Sequence, residues 1–334
     1  MSFTITLSPS GRQFHAEAGE TILDAAIRQD VGLPYGCRNG FCGACIATLL
    51  TGKIEYPEGA PDKLLDASDD ACLPCQAVPV SDVEIKAREI KTPHEIEPRI
   101  MPVKVAKIEH LADNVVRLYL KLPDEQRLQF LAGQYLDFIL EDGRRRAFSI
   151  ANAPHNDDFI ELHIRHIDGG VFTDWAFTQM KEKTILRIEA PLGGFTLNEE
   201  SGRPMLFIAG GTGFAPIKSQ IEHAFHGNIE RPMELYWGVR AQGDLYLPDL
   251  PRQWEKEHEN FTRFVPVLSA PEQGWNGRKG WVHEAVLEDH DNLADYDIYM
   301  AGPPPMIKAA RDAFHAVGVT DEQMYYDSFE YAGD

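Results

Sequence analysis

Cys37-Arg38-Asn39-Gly40-Phe41-Cys42-Gly43-Ala44-Cys45, with Cys75 further along the chain, decides the first domain. Three thiols spaced C-x4-C-x2-C in a glycine-rich turn, plus a distant fourth, match the ligand pattern of a plant-type [2Fe–2S] centre. The backbone must curl around inorganic sulfide without side chains in the way. Gly36, Gly40 and Gly43 permit that approach and tolerate positive φ. Amides turned toward the sulfurs stabilise the charge added on reduction. Two other readings exist. Scattered buried thiols leave the clustering and the glycines unexplained, and a disulfide framework needs a secretory signal that the sequence does not show. Zinc could use Cys42-x2-Cys45 and Cys72-x2-Cys75 as paired knuckles, but that leaves Cys37 without a role and puts the second knuckle in an apolar Leu73-Pro74 segment. The reading taken is iron–sulfur, with Cys37, Cys42, Cys45 and Cys75 as ligands and Cys72 spare.

Around that loop, residues 2–8 and 12–16 alternate as a hairpin turned at Ser8-Pro9-Ser10-Gly11, and Glu20–Ile27 reads as a short amphipathic helix. An apolar run from Cys45 to Leu50 and a late strand, Val83–Lys86, complete an α+β unit over residues 1–90. The acids between Glu55 and Asp70 read as a solvated loop face. Pro93, Pro98 and Pro102 mark a semi-stiff linker over 91–102.

The period then becomes two. Strand-like runs at Val103–Ile108, Val115–Leu120, Tyr135–Leu140, Ala147–Ala151, Ile160–Ile167 and Ile185–Glu189 predict an antiparallel β-barrel over 103–200, with one helix at Thr173–Lys181. After Pro191-Leu192-Gly193-Gly194-Phe195 strands and helices alternate. Met205–Ala209, Met233–Val239, Arg263–Leu268 and Ile298–Ala301 read as strands, with helices running to about Ala224 and over 282–289 and 304–317. This predicts a doubly wound parallel sheet over 201–334. The fold class is therefore multidomain, α+β followed by β-barrel followed by α/β.

The 334 residues allow two or three domains, and the formal net charge of −20 argues against nucleic acid or an anionic membrane as partner. It suits docking to a basic patch on another protein. No run approaches the roughly 18 apolar residues of a membrane span, and a reducing cytoplasm is the expected location.

Four further stretches carry chemistry. In Arg144–Asn152, a cation, an aromatic ring and a hydroxyl on one strand could serve a flavin dinucleotide, the guanidinium binding pyrophosphate. A basic strand end with one buried Phe is the plainer reading. Gly169-Gly170-Val171-Phe172-Thr173 offers a second phosphate site where a helix opens. Gly210-Gly211-Thr212-Gly213 stands between a strand and a helix, where glycines let a pyrophosphate approach the backbone. Ala301-Gly302-Pro303-Pro304-Pro305-Met306 follows the last long strand predicted, at the edge where ligands sit in open α/β folds. His163 and His166 would face opposite sides of a strand, and His223 with His226 reads as a solvated surface pair.

Taken together and in this order, these segments resemble the ferredoxin-fused FAD/NAD(P)H reductases of the ferredoxin–NADP reductase superfamily, over essentially the whole chain. Ile208–Ser219, Leu245–Pro248, Val282–Asp289 and Tyr326–Phe329 carry the similarity to CDP-6-deoxy-3,4-glucoseen reductases, with reductases of aromatic-ring oxygenases close behind. The resemblance implies that Arg146, Phe148 and Ser149 fill an Arg-x-Tyr-Ser flavin motif in which Phe148 replaces the usual Tyr. It implies His163 and Arg165 along the ribityl and phosphate chain, and Gly170, Val171 and Thr173 at the pyrophosphate. Gly210, Gly211, Thr212, Gly213, Gly302 and Pro303 would hold the nicotinamide dinucleotide. Ala301 stands where relatives often have Cys, and Phe329 would be a ring near the flavin. Arg240 could favour a 2′-phosphate and Asp244 a free ribose hydroxyl; the resemblance favours NADH, with NADPH open.

The expected activity is hydride transfer from NADH to FAD and delivery of single electrons through [2Fe–2S] to a protein acceptor, either an oxygenase component or an iron–sulfur dehydratase. The rival readings are a flavin reductase that releases reduced flavin, an electron carrier with a vestigial C-terminal half, and a zinc-bearing binding protein.

Overall fold

The computed structural model describes every residue except 1, 37, 41, 42, 66, 88, 90–95, 124, 125 and 330–334. The proposed ligands Cys37 and Cys42, and residues 91–95 of the expected linker, lie outside the described residues. The chain forms two compact units, residues 1–96 and, in the main, 97–334.

In the first unit, β1 (Ser2–Ser8) and β2 (Gln13–Glu17) pair antiparallel around the predicted turn. Helix α1 spans Ile22–Arg28, followed by β3 (Ala47–Thr51), β4 (Ile54–Glu55), β5 (Ala71–Cys72), β6 (Val78–Pro79) and β7 (Val83–Lys86). The main sheet has the order β2-β1-β7-β3-β5, with β1 and β7 parallel. Alternation in β1 turns Ile5 and Leu7 inward, both fully buried, against Ile22, Leu23 and Ala26 of α1. Burying each such side chain stabilises by about 1.5–3 kcal/mol.

The second unit begins with β8 (Arg99–Ala112), β9 (Val115–Lys121), β10 (Tyr135–Ile139), β11 (Arg145–Ser149), β12 (Ile160–Arg165), α2 (Val171–Thr178) and β13 (Ile185–Leu192). Residues 99–102, read from sequence as linker, are already strand, because Arg99–Pro102 pair with Arg187–Ala190. Helix α2 opens two residues before the position expected from sequence and ends at Thr178. The antiparallel order is β11-β10-β13-β8-β9-β12. An Ile150–Leu162 bridge and an Ala151 N–H to Glu161 carbonyl bond of 2.8 Å join the two edges, closing the barrel.

The chain continues as β14 (Met205–Gly210), α3 (Phe214–His226), β15 (Met233–Val239), α4 (Asp249–Glu257), β16 (Phe261–Leu268), β17 (Arg278–Lys279), α5 (Val282–Asp289), β18 (Asp297–Gly302), α6 (Pro304–Ala316) and β19 (Met324–Ser328). All six strands are parallel, in the order β17-β16-β15-β14-β18-β19. The order reverses at β14, so the loops after β14 and β18 flank the crevice at the sheet's carboxyl edge, where ligands of such folds bind. Among the described residues no helix is long and apolar enough to cross a membrane.

Candidate functional site

The cysteine loop is pinned from two sides. Thr21 caps α1, its hydroxyl accepting from the Asp24 amide at 3.1 Å. The Ile22 and Leu23 amides donate to the Ala77 and Pro74 carbonyls, each at 2.9 Å, which ties the helix start to the segment carrying Cys75. Arg38 Nη2 donates to Asp24 Oδ1 at 2.6 Å. Gln76 Nε2 donates to both the Arg38 and the Cys75 carbonyls at 2.9 Å, clasping the loop to the segment of the fourth cysteine. Arg38, Gly40 and Gly43 all have positive φ, between 59° and 86°. A Cβ on Gly43 would lie 2.8 Å from Lys63 Cε, and one on Gly40 3.1 Å from Pro61. Glycine is therefore favoured at both positions by the positive φ, and at Gly40 also by the close Pro61 ring. Cys45 and Cys75 are buried at the loop. Cys72 is fully buried in β5, paired with Ala47, and burial with Asp70 nearby pushes its thiol up to about 12. It is a protonated core thiol. The donor set and the cradle fit a [2Fe–2S] cluster.

In the barrel, alternation along β11 puts Arg146 and Phe148 on one face. The Phe148 ring lies 5.3 Å from Phe172 and 5.7 Å from Phe138, so it is seated against the start of α2. Gly170 is the N-cap of α2 and makes no side-chain cap, so the helix opens without a capping side chain, as anion-binding helix starts do. The Thr173 hydroxyl turns back to the Gly170 and Ile167 carbonyls at 3.2 and 3.1 Å, so it shapes the glycine turn. Arg145, on the other face, pairs with Asp137 and Glu189.

The dinucleotide loop has the same logic. Gly211–Gly213 form one turn of 3-10 helix leading into α3, again with no side-chain cap. A Cβ on Gly213 would stand 1.9 Å from the Ala301 carbonyl oxygen, and one on Gly210 2.5 Å from Met306 Sδ and 2.8 Å from Pro303. The loops after β14 and β18 thus touch backbone to backbone. Gly211, at φ +55°, instead faces open space whose nearest atom is Arg165 Nη1, 3.8 Å from where a Cβ would be. That uncapped turn, with the Arg165 guanidinium beside it, has the donors a phosphate needs. Arg240 stands exposed just past β15. Asp244 accepts from Asn114 Nδ2 at 3.1 Å and from the Ala241 amide at 3.0 Å, holding the turn that follows.

Three of the residues expected at the reacting centre converge. Ala301 is fully buried in β18 and pairs with Asp327 of β19. Ser149, nearly buried at the end of β11, donates from Oγ to Asp327 Oδ2 at 3.3 Å. Phe329 follows β19, its amide bonded to the Gly302 carbonyl at 2.9 Å. Sequence reading missed Asp327, because β19 carries no alternation that marks it as a strand.

His163, expected along the flavin's ribityl and phosphate chain, is buried in β12. Its side chain is enclosed, with Nε2 2.9 Å from Glu161 Oε1 and Nδ1 3.0 Å from the Tyr246 hydroxyl. Burial keeps its ring below the usual imidazole range despite Glu161. Burial alone would raise Glu161, but the His163 bond and the Lys218 ammonium outweigh it and hold the carboxyl at about 2. His166 pairs with Asp174 at 2.6 Å; His223 bonds Glu199, and His226 stacks on His155 at 3.8 Å.

Three family models match successive parts of the chain. Residues 5–80 match the 2Fe-2S iron-sulfur cluster binding domain, 102–197 the oxidoreductase FAD-binding domain and 207–312 the oxidoreductase NAD-binding domain. The chain is 38% identical over 98% of its length, and 99% of the relative's, to the CDP-6-deoxy-L-threo-D-glycero-4-hexulose-3-dehydrase reductase of Yersinia pestis. It is 33% identical to terephthalate 1,2-dioxygenase reductase component 2 of a Comamonas species, over 98% of both chains. The crystal structure of the Amycolatopsis cytochrome P450 reductase GcoB superposes with a TM-score of 0.78 at 33% identity, covering 98% of both chains. The first match selects iron–sulfur over zinc for the cysteine loop. With all three domains present in order and relatives alike from end to end, the chain belongs to the iron–sulfur flavoprotein reductases, NAD(P)H-dependent oxidoreductases that pass electrons through FAD and a [2Fe–2S] cluster to a protein acceptor.

Proposed function

We propose that Ser149, Ala301, Asp327 and Phe329 surround the place where the nicotinamide and flavin rings meet, that NADH is the preferred reductant, and that the protein acceptor is an oxygenase component or an iron–sulfur hexulose dehydrase. The observation that carries this reading is the Ser149–Asp327 contact, which joins the flavin strand to the carboxyl edge of the dinucleotide sheet. FAD accepts the hydride and the cluster carries electrons one at a time; the protein sets their distance and order. Arg146 and the open N-terminus of α2 hold the flavin's pyrophosphate, and Phe148 supports the ring system from its seat on Phe172. The turn at Gly210–Gly213, with Gly302 and Pro303 beside it, holds the nicotinamide dinucleotide. Ser149 offers a hydroxyl whose proton is directed by the Asp327 carboxylate. Ala301, fully buried in β18, adds no bulk where a larger side chain would reach toward the nicotinamide.

Arg240 alone would attract a 2′-phosphate. Asp244 brings an acid into the turn just after it, and its partners here are neutral, so its charge opposes a second phosphate. That balance supports NADH. The two kinds of acceptor come from the relatives alike over the whole chain, a hexulose dehydrase reductase and a dioxygenase reductase component.

An anaerobic titration with NADH, followed by visible absorption and EPR, tests the chain of transfer. Flavin bleaching followed by a reduced-cluster signal is expected, and addition of a purified dehydrase or oxygenase component should then discharge that signal. Bleaching with NADPH but not NADH would overturn the cofactor preference. A flavin that bleaches while the cluster stays oxidised would overturn the order of transfer.

A further inference from the structure

We propose that Lys218 is a positioning residue for hydride transfer, fixing how the dinucleotide loop sits over the flavin strand. The inference rests on the assignment of the flavin to β11 and of the dinucleotide to the loop after β14.

Lys218 lies on α3 about one turn past the glycine loop and is 6% exposed. All three of its ammonium protons have acceptors: the Ala151 carbonyl at 3.2 Å, Glu161 Oε2 at 3.2 Å and Glu222 Oε2 at 2.9 Å. The next residue, Ser219, is fully buried and donates to the Asn152 carbonyl at 2.7 Å. Two successive residues of the helix therefore grip two successive carbonyls of the barrel. Those carbonyls follow Ser149 almost immediately along the chain, so the grip holds the strand that bears the flavin hydroxyl. Asn152 is fixed in turn, its Oδ1 accepting from the Glu161 amide at 2.8 Å.

A second path runs from the same carboxylate. Glu161 holds His163, which meets the Tyr246 hydroxyl; the Tyr246 ring stands edge-on to Trp237 at 5.0 Å; and Trp237 Nε1 donates to the Gly211 carbonyl at 2.9 Å. Lys218 thus acts on the strand directly and on the glycine loop through Glu161. Burying an ammonium with the Glu161 carboxylate is expensive, and well-packed apolar side chains commonly stabilise such a contact as well or better. What a three-way ion pair adds is direction. Apolar packing tolerates a slide of the two domains, whereas hydrogen bonds to two adjacent carbonyls define one register. Hydride transfer needs such a register, because a misplacement of about 1 Å can cost on the order of a hundredfold in rate.

The test uses the holoprotein carrying FAD and cluster, with Lys218→Met and Ser219→Ala, in anaerobic stopped-flow reduction over a range of NADH concentrations. For Lys218→Met the limiting rate of flavin bleaching, per bound FAD, should fall about tenfold to a hundredfold, while half-saturating NADH stays within about twofold. Ser219→Ala should shift the same rate in the same direction by less. A merely structural lysine would lower FAD content or melting temperature and leave the limiting rate per bound FAD unchanged, and that result would overturn the inference. So would a loss confined to NADH affinity. If Lys218→Met does not retain FAD, the limiting rate of Ser219→Ala decides. Failure of the unsubstituted protein to bleach with NADH or NADPH would instead count against the site assignment on which the inference stands.

Discussion

Ser149 and Asp327 stand 178 positions apart and belong to different sheets, yet their side chains meet at 3.3 Å. A serine hydroxyl has one proton to give and lone pairs that accept. With that proton donated in a hydrogen bond to the Asp327 carboxylate, the oxygen's lone pairs remain to accept. Removing the hydroxyl removes both the donor and its orientation. Ser149→Ala should therefore slow NADH-dependent flavin bleaching by on the order of a hundredfold, the lower range for loss of a positioned proton-handling group. Asp327→Asn keeps an oxygen that accepts from Ser149 but loses the charge, so its effect should be smaller, about tenfold. Limiting rates from anaerobic stopped-flow give both numbers. Equal rates for Asp327→Asn and the unsubstituted protein would mean that the carboxylate's charge plays no part.

At the scale of elements, the junction between β12 and α3 makes the reductase sensitive to acid. His163 is held below its ordinary range by burial, so between its folded value and about 6.5 the unfolded chain binds a proton that the folded chain does not. Stability then rises with pH up to about 6.5 and is lost as pH falls below it. Glu161 adds a second step: its folded value of about 2 is below the ordinary 4.5, so its contribution is complete above about 4.5 and fades as pH falls toward 2. Melting temperatures between about pH 5 and 8 should therefore fall on the acid side, and His163→Gln should flatten that part of the curve. Parallel curves for the two proteins would show that His163 is not the titrating group.

The same elements show where sequence reading succeeds. Loops whose chemistry demands particular residues were legible: the cysteines with Gly40 and Gly43, and the glycines of 210–213, are fixed by wrapping or close approach. β1 and β14 were legible because burial shapes their whole pattern. Helix α4 was not, since it buries only Pro251 and Trp254 and its other faces are polar. Strand β19 was not, since Met324 and Tyr325 are buried side by side and Asp327 faces a partner far away in sequence. His163 was legible as a residue of the flavin domain, but its enclosure by Glu161 and Tyr246 depends on contacts no local period encodes.

For the whole molecule, the question is whether the iron–sulfur unit and the flavin–dinucleotide unit depend on each other. Each has its own apolar core: one cluster runs from Ile5 to Ile85, and two others fill the barrel and the parallel sheet. The contacts proposed to organise hydride transfer, Ser149 with Asp327 and Lys218 with Ala151 and Glu161, all lie within the second unit. The clasp of Gln76 on Arg38 and Cys75 lies wholly within the first. Loss of a cluster ligand should therefore be felt at only one end of the transfer chain. Cys75→Ser should lower iron content and abolish the reduced-cluster EPR signal, and reduction of the protein acceptor should drop to background. NADH-dependent bleaching of FAD should stay within about twofold, because the residues proposed to align the two dinucleotides keep their packing. A Cys75→Ser protein that binds FAD but no longer bleaches with NADH would show that the iron–sulfur unit helps to shape the hydride-transfer site, and electron flow could not then be described as two separable steps.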